Sequence, residues 1–160
     1  MLVTLSEDNF MDYQELNSVW ILKHEYEREA RRLEDLREFA KPSTPIFDGM
    51  PQPASPPLSS KVETVATLVI ETEKTLVRLA VEIEAQKKHL LSMLQSVGMK
   101  EVWELVLKHH YVGCKSFNAI AKLMNFSRRY ILDLHEAGLK ALGLDAQQMI
   151  QFRKRLEVHA

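Results

Sequence analysis

One cysteine in 160 residues, Cys114, rules out an internal disulfide, so no covalent staple organises the fold and a reducing compartment suits the chain. Glycine is scarce, with five in all, and the six prolines are confined to residues 42–57. Proline removes a helical amide and clashes with the preceding turn, so its absence elsewhere leaves two long stretches without strong helix breakers. Strand-like alternation is missing as well. No apolar run approaches the ~18 residues of a membrane crossing. The first ten residues, MLVTLSEDNF, place no basic segment ahead of an apolar one, so neither a spanning helix nor a signal peptide is expected. A net charge of −1 excludes a generally basic surface, and any attraction to nucleic acid has to come from a local patch.

What remains is helical periodicity. In residues 12–40, Leu16, Val19, Leu22, Tyr26, Ala30, Leu33, Leu36 and Ala40 advance by three or four positions, close to the 3.5 of a coiled-coil seam. Glu27, Arg31 and Asp35 are spaced for i,i+4 pairs on the wet face. In residues 61–97 the alternation runs through Val62, Val65, Val69, Thr72, Leu76, Leu79, Ile83, Gln86, Leu90, Met93 and Val97 without a break. Leu68, Ile70, Val77, Val81, Leu91 and Leu94 widen the apolar face beyond what one partner helix covers. That surplus points either to a homodimer through the long helices or to packing against the C-terminal helices.

The expected fold is therefore all-α, a long antiparallel coiled-coil-like hairpin followed by a C-terminal helix-turn-helix bundle. Its parts are a first helix (1–41), a Pro-rich loop read as a passive connection (42–60), a second helix (61–97), a helix-turn-helix domain (98–144) and a basic final helix (145–160).

The helix-turn-helix reading rests on Lys115–Leu142. Phe117, Ile120, Ala121 and Met124 make one apolar face, and Asn125 falls where the chain turns, a residue type that tolerates a left-handed backbone. Ser127 is placed as an N-cap, and Ile131, Leu134, Gly138 and Leu142 form the buried stripe of the next helix, with Gly138 allowing a close helix approach. Residues 100–111 read as another helix with Trp103 and Val106 along it, and Gly113 would permit the turn before Ser116 caps the next one. No acidic residue lies between Glu104 and Asp133, whereas Lys108, Lys115, Lys122, Arg128 and Arg129 supply five positive charges. Residues 1–40 hold ten acidic and five basic groups, net −5, and residues 100–160 hold ten basic and six acidic, net +4. The acidic end would repel DNA and the basic end would attract it.

These residues carry a resemblance. Lys115-Ser116, Ile120-Ala121, Met124-Asn125-Phe126-Ser127, Ile131, Leu134, Gly138-Leu139 and Leu142 resemble the region-4 helix-turn-helix of sigma-70 factors. Over residues 15–142 the chain is similar to small phage late-transcription regulators of the ArpU/RinA type, carried by phages and prophages of Gram-positive bacteria. The resemblance implies a sequence-specific regulator of transcription in the bacterial cytoplasm, an activator of phage late genes that binds double-stranded DNA and recruits host RNA polymerase. On that reading Lys115 and Ser116 hold a phosphate, Ser127 caps the recognition helix, Arg128 and Arg129 contact guanine edges or phosphates, and Tyr130 lies along the backbone. Leu132 and Asp133 share the exposed face, although Leu132 departs from the long polar side chains common there and fits a thymine methyl or a protein-binding face instead. Two alternatives stay open: a DNA-packaging protein like a small terminase subunit, and a helix-turn-helix protein that binds a host factor rather than DNA.

Beyond Leu142, Asp145 is read as the cap of the last helix, with Met149, Phe152 and Leu156 as its apolar stripe. Arg153, Lys154 and Arg155 form a basic cluster, read as a solvated helix end or as added phosphate contacts. His109, His110 and Cys114 have metal-binding side chains, but adjacent histidines on a helix diverge by about 100° and no fourth ligand is evident. His135 is open to phosphate contact, packing or plain exposure. No phosphate loop and no activated nucleophile is present, so no enzyme, metal or cofactor is expected.

Overall fold

A computed structural model describes residues 12–41 and 58–158. The Pro-rich segment from Pro42 to Pro57, like residues 1–11, lies outside the described residues. Among the described residues there are seven α-helices and no strand: α1 (Tyr13–Leu16), α2 (Ser18–Ala40), α3 (Leu58–Ser96), α4 (Glu101–Leu107), α5 (Phe117–Met124), α6 (Arg128–Ala141) and α7 (Ala146–Val158). The all-α class read from the sequence is the class observed.

The chain divides into two units. One contains residues up to Lys23 together with Ile83–Ala160, and the other is His24–Glu82. Both long helices cross this division, which helical periodicity alone does not reveal.

Within His24–Glu82, the seam residues Leu33, Val65, Thr72 and Leu79 are buried, and Arg37 on α2 meets Glu73 on α3 at 2.8 Å. Leu22, Tyr26, Ala30 and Leu36 are half-buried, so the spacing identified the right face of α2. Ile70, Val77 and Val81 remain largely exposed. The i,i+4 pairs expected around Arg31 do not appear; its Nε donates instead to the Glu27 carbonyl at 3.4 Å, and Arg32 pairs with Glu29.

In the other unit α1 and the start of α2 run against the last turns of α3 in the opposite direction. Glu15 meets His89 at 2.9 Å, and the Gln86 amide donates to the Ser18 hydroxyl at 2.8 Å. The expected continuous helix over residues 12–40 is interrupted at Asn17. This fully buried side chain donates to the Tyr13 carbonyl at 2.7 Å and accepts from Arg153 at 2.7 Å. A buried amide is stabilised only with its partners met, and these partners lie on α1 and α7. The break is therefore a tertiary requirement with no signature in local periodicity.

Two apolar cores meet at α4. Val106 packs with Ile120, Ala121, Ile131 and Leu134, and Trp103, Phe117 and Met124 border them. The next residue, Leu107, enters a larger core with Leu16, Leu90, Leu94, Tyr111, Leu139 and Met149. The seam residue Leu90, with Leu94 and the half-buried Leu91 from the surplus face of α3, thus packs into the core shared with the C-terminal helices. After Leu107 the chain widens into a π-helical turn, Lys108–Val112, with the Gly113 amide bonded to the Lys108 carbonyl.

The turn before α5 differs from expectation. Gly113 has an ordinary negative φ of −81°, and the left-handed residue is Cys114, with φ 51°. Gly113 is needed for space: an added Cβ would lie 2.8 Å from the His109 carbonyl oxygen. Asn125 does adopt the left-handed conformation, at φ 58°.

Candidate nucleic-acid interface

Local rules account for the geometry of Lys115–Leu142. Ser116 caps α5, its hydroxyl accepting from the Ala119 amide at 3.2 Å. Asn125 ends that helix, and two residues later Ser127 caps α6 by accepting from the Tyr130 amide at 3.2 Å. Asn125 and Ser127 set the corner, while Ile120, Ala121, Ile131 and Leu134 hold the two helices together.

The first turn of α6 presents its charged side chains to solvent. Arg128 and Arg129 are exposed, and Arg129 lies 3.5 Å from Asp133 one turn on. Tyr130 is 45% exposed with its ring edge-on to Phe126 at 5.0 Å. Leu132 is half-buried and Asp133 is exposed. Lys115 and Ser116 are exposed at the start of α5, and the Lys115 ammonium lies 3.5 Å from His109 Nδ1. Partial burial and then the Lys115 charge push the His109 imidazole below its ordinary range. The eight residues singled out from the sequence thus fall at the starts of α5 and α6 and along the outer face of α6. Beyond Asp133, Glu136 adds a second exposed carboxylate, so the positive field is concentrated on the first turn.

Behind this surface lies a buried imidazole cluster. His135 points inward and shares a 2.7 Å hydrogen bond with the Tyr111 hydroxyl. His110 stacks on Phe117 with ring centres 4.2 Å apart, and its Nδ1–H donates to the Lys115 carbonyl at 2.8 Å. The His110 and His135 rings sit 5.4 Å apart. Burial chiefly lowers both, to about 4 for His110 and about 3 for His135, so each is neutral at pH 7. Burial moves the Tyr111 hydroxyl the other way, upward. His135 is therefore a packing residue, one of the three uses left open by the sequence. A signal was present: it stands four residues after Ile131, on the buried stripe.

Arg153 departs from the solvated or phosphate-facing cluster expected of α7. It turns inward over the Trp20 ring at 4.7 Å, and burial lowers its pKa. Only Lys154 and Arg155 of that cluster are exposed. Asp145 does cap α7, accepting from the Gln148 amide at 2.9 Å, and the Tyr13 hydroxyl accepts from the Asp145 amide at 2.9 Å.

The start of α7 flanks α6. Between them runs a groove of about 270 Å³ whose walls include Phe117, Leu132, Ala146 and Ile150, with Arg129, Asp133, Glu136 and Gln147 also lining it. The outer face of α6 is thus bordered by an element whose proximity was not legible in the sequence.

Comparison with known protein families, with characterised proteins and with solved structures finds no match for this chain. Among the described residues no helix is long and apolar enough to cross a membrane. Nor do they contain a group of three His, Cys, Asp or Glu side chains able to hold a metal ion.

Proposed function

We propose that this chain is a sequence-specific regulator of transcription that binds double-stranded DNA, with the first turn of α6 entering the major groove and the start of α5 set against the phosphate backbone. The observation that carries this reading is the capped start of α6. Ser127 and the left-handed Asn125 fix its angle to α5, and Arg128 and Arg129 are exposed on its first turn, Arg129 beside Asp133. No carboxylate occurs anywhere between Glu104 and Asp133 to oppose phosphate. The helix N-terminus adds its own partial positive charge. Arginine pairs with guanine through two parallel hydrogen bonds, and each such contact contributes about 1–3 kcal/mol of discrimination.

The resemblance to phage late regulators extends the proposal to activation of late genes by recruiting host RNA polymerase in the bacterial cytoplasm. It also covers a homodimer through the long helices, for which Ile70, Val77 and Val81 offer an exposed apolar stripe on α3. Sedimentation of a Val77→Glu chain is expected to shift the mass from dimer toward monomer. A wild-type chain that stays monomeric at high concentration would remove the dimer from the proposal.

The DNA reading is tested by fluorescence anisotropy with duplexes drawn from the DNA flanking the protein's own gene. The Arg128→Ala/Arg129→Ala chain is expected to lose affinity by about tenfold or more while keeping its helical circular-dichroism spectrum. Wild-type affinity should fall steeply with added salt, as phosphate contacts release counterions. A folded wild type that binds no duplex at low salt would sink the proposal.

A further inference from the structure

The groove between α6 and α7 has a different chemistry from the first turn of α6. Its lining is mostly apolar, with Phe117, Leu132, Ala146 and Ile150 beside the neutral His135 ring, and Ile150 is 48% exposed. At about 270 Å³ it falls below the roughly 300–1,000 Å³ of pockets that take whole small molecules, and it suits a side chain or two. The charges on its walls are unequal. Arg129 and Asp133 lie 3.5 Å apart and largely offset one another. The exposed Glu136 carboxylate makes no ion pair among the described residues. The groove is therefore apolar with one carboxylate left over, and a phosphate backbone would be repelled from it.

We infer that this groove docks a protein segment that inserts an apolar side chain between Leu132 and Ile150 and sets a lysine or arginine against Glu136. An apolar anchor held in a pocket beside a complementary charge is how short segments gain both affinity and orientation. Leu132 then has a role that base reading does not give it. A single helix divides its labour: Arg128 at its start lies outside the groove and is left for nucleic acid, and Leu132 with Glu136 faces protein. The inference does not depend on the DNA reading, because every residue named for the groove can be tested without DNA.

The probe is a displayed library of short random peptides selected against the full chain. Enriched peptides are expected to carry an apolar residue beside Lys or Arg. Their binding should weaken by ~10-fold or more in both Ile150→Lys and Glu136→Lys and persist in Arg128→Ala. Ile150 and Glu136 are exposed enough for both variants to fold, which circular dichroism checks. Peptides that bind both variants as tightly as the parent chain overturn the inference, as does a selection that enriches nothing beyond what the Ile150→Lys chain enriches. Acidic rather than basic peptides also overturn it, and would assign the groove to a partner of opposite charge.

Discussion

Gly138→Ala is expected to destabilise the wild-type chain yet stabilise a Leu107→Ala chain. A Cβ at position 138 would sit 3.0 Å from Leu107 Cδ1 and 3.1 Å from its Cγ. Leu107 is fully buried among Leu16, Leu90, Leu94, Tyr111 and Leu139, so it has little room to retreat. Overpacking of this kind costs about 1–3 kcal/mol. Alanine's advantage over glycine in a helix returns only about 0.5–1 kcal/mol, and the net is a loss. Leu107→Ala alone should cost about 2–5 kcal/mol through lost burial and the cavity it leaves. With that side chain gone the obstacle disappears, the alanine methyl partly fills the space, and the second substitution becomes favourable. Urea unfolding of the four chains measures the coupling. A Gly138→Ala chain more stable than wild type would show that α4 and α6 do not approach as closely as described.

The second large effect is acid sensitivity. His110 and His135 are held neutral in the folded chain, with values lowered to about 4 and about 3 from an ordinary 6.5. Below pH 6.5 the unfolded chain takes up protons that the folded chain refuses, so stability falls as pH falls, and keeps falling until the folded values are reached. At pH 5, one and a half units below the ordinary value, each imidazole forfeits about 2 kcal/mol at 1.36 kcal/mol per unit. The pair together forfeits about 4 kcal/mol, a large share of the stability of a small domain. His135→Phe should roughly halve the loss between pH 7 and pH 5. At pH 7 it should cost about 1–3 kcal/mol, because the Tyr111 hydroxyl loses its partner in the core. Thermal unfolding at the two pH values reads both quantities. A variant whose loss between pH 7 and pH 5 equals that of the wild type would mean that His135 is already accessible to protons in the folded chain.

The site and its support were legible to different degrees. Asn125, Ser127, Ser116 and Asp145 act through bonds that span a few residues, and the backbone conformation or hydrogen bond expected of each is present. A glycine before a turn suggests conformational freedom, but Gly113 has an ordinary backbone. Here it is the neighbouring carbonyl, brought close by the π-helical turn, that excludes a side chain. His135 stood on a visible stripe, but its partner Tyr111 is 24 residues away, and nothing in the spacing pairs them. Arg153 is drawn inward by Asn17 from 136 positions away, against the habit of a basic helix end.

The local pattern by itself determined the all-α class, the apolar face of each long helix, the capped corner between α5 and α6, and the exposure of Arg128 and Arg129. Periodicity, caps and left-handed turns are all set within about one or two turns of chain. The tertiary structure alone decided the break at Asn17, the inward turn of Arg153, the neutral His110–His135 pair and the groove that α7 builds against α6. Each of these exists because a buried polar or charged group needs a partner, or an apolar surface needs cover, and the group that supplies it comes from a distant part of the chain.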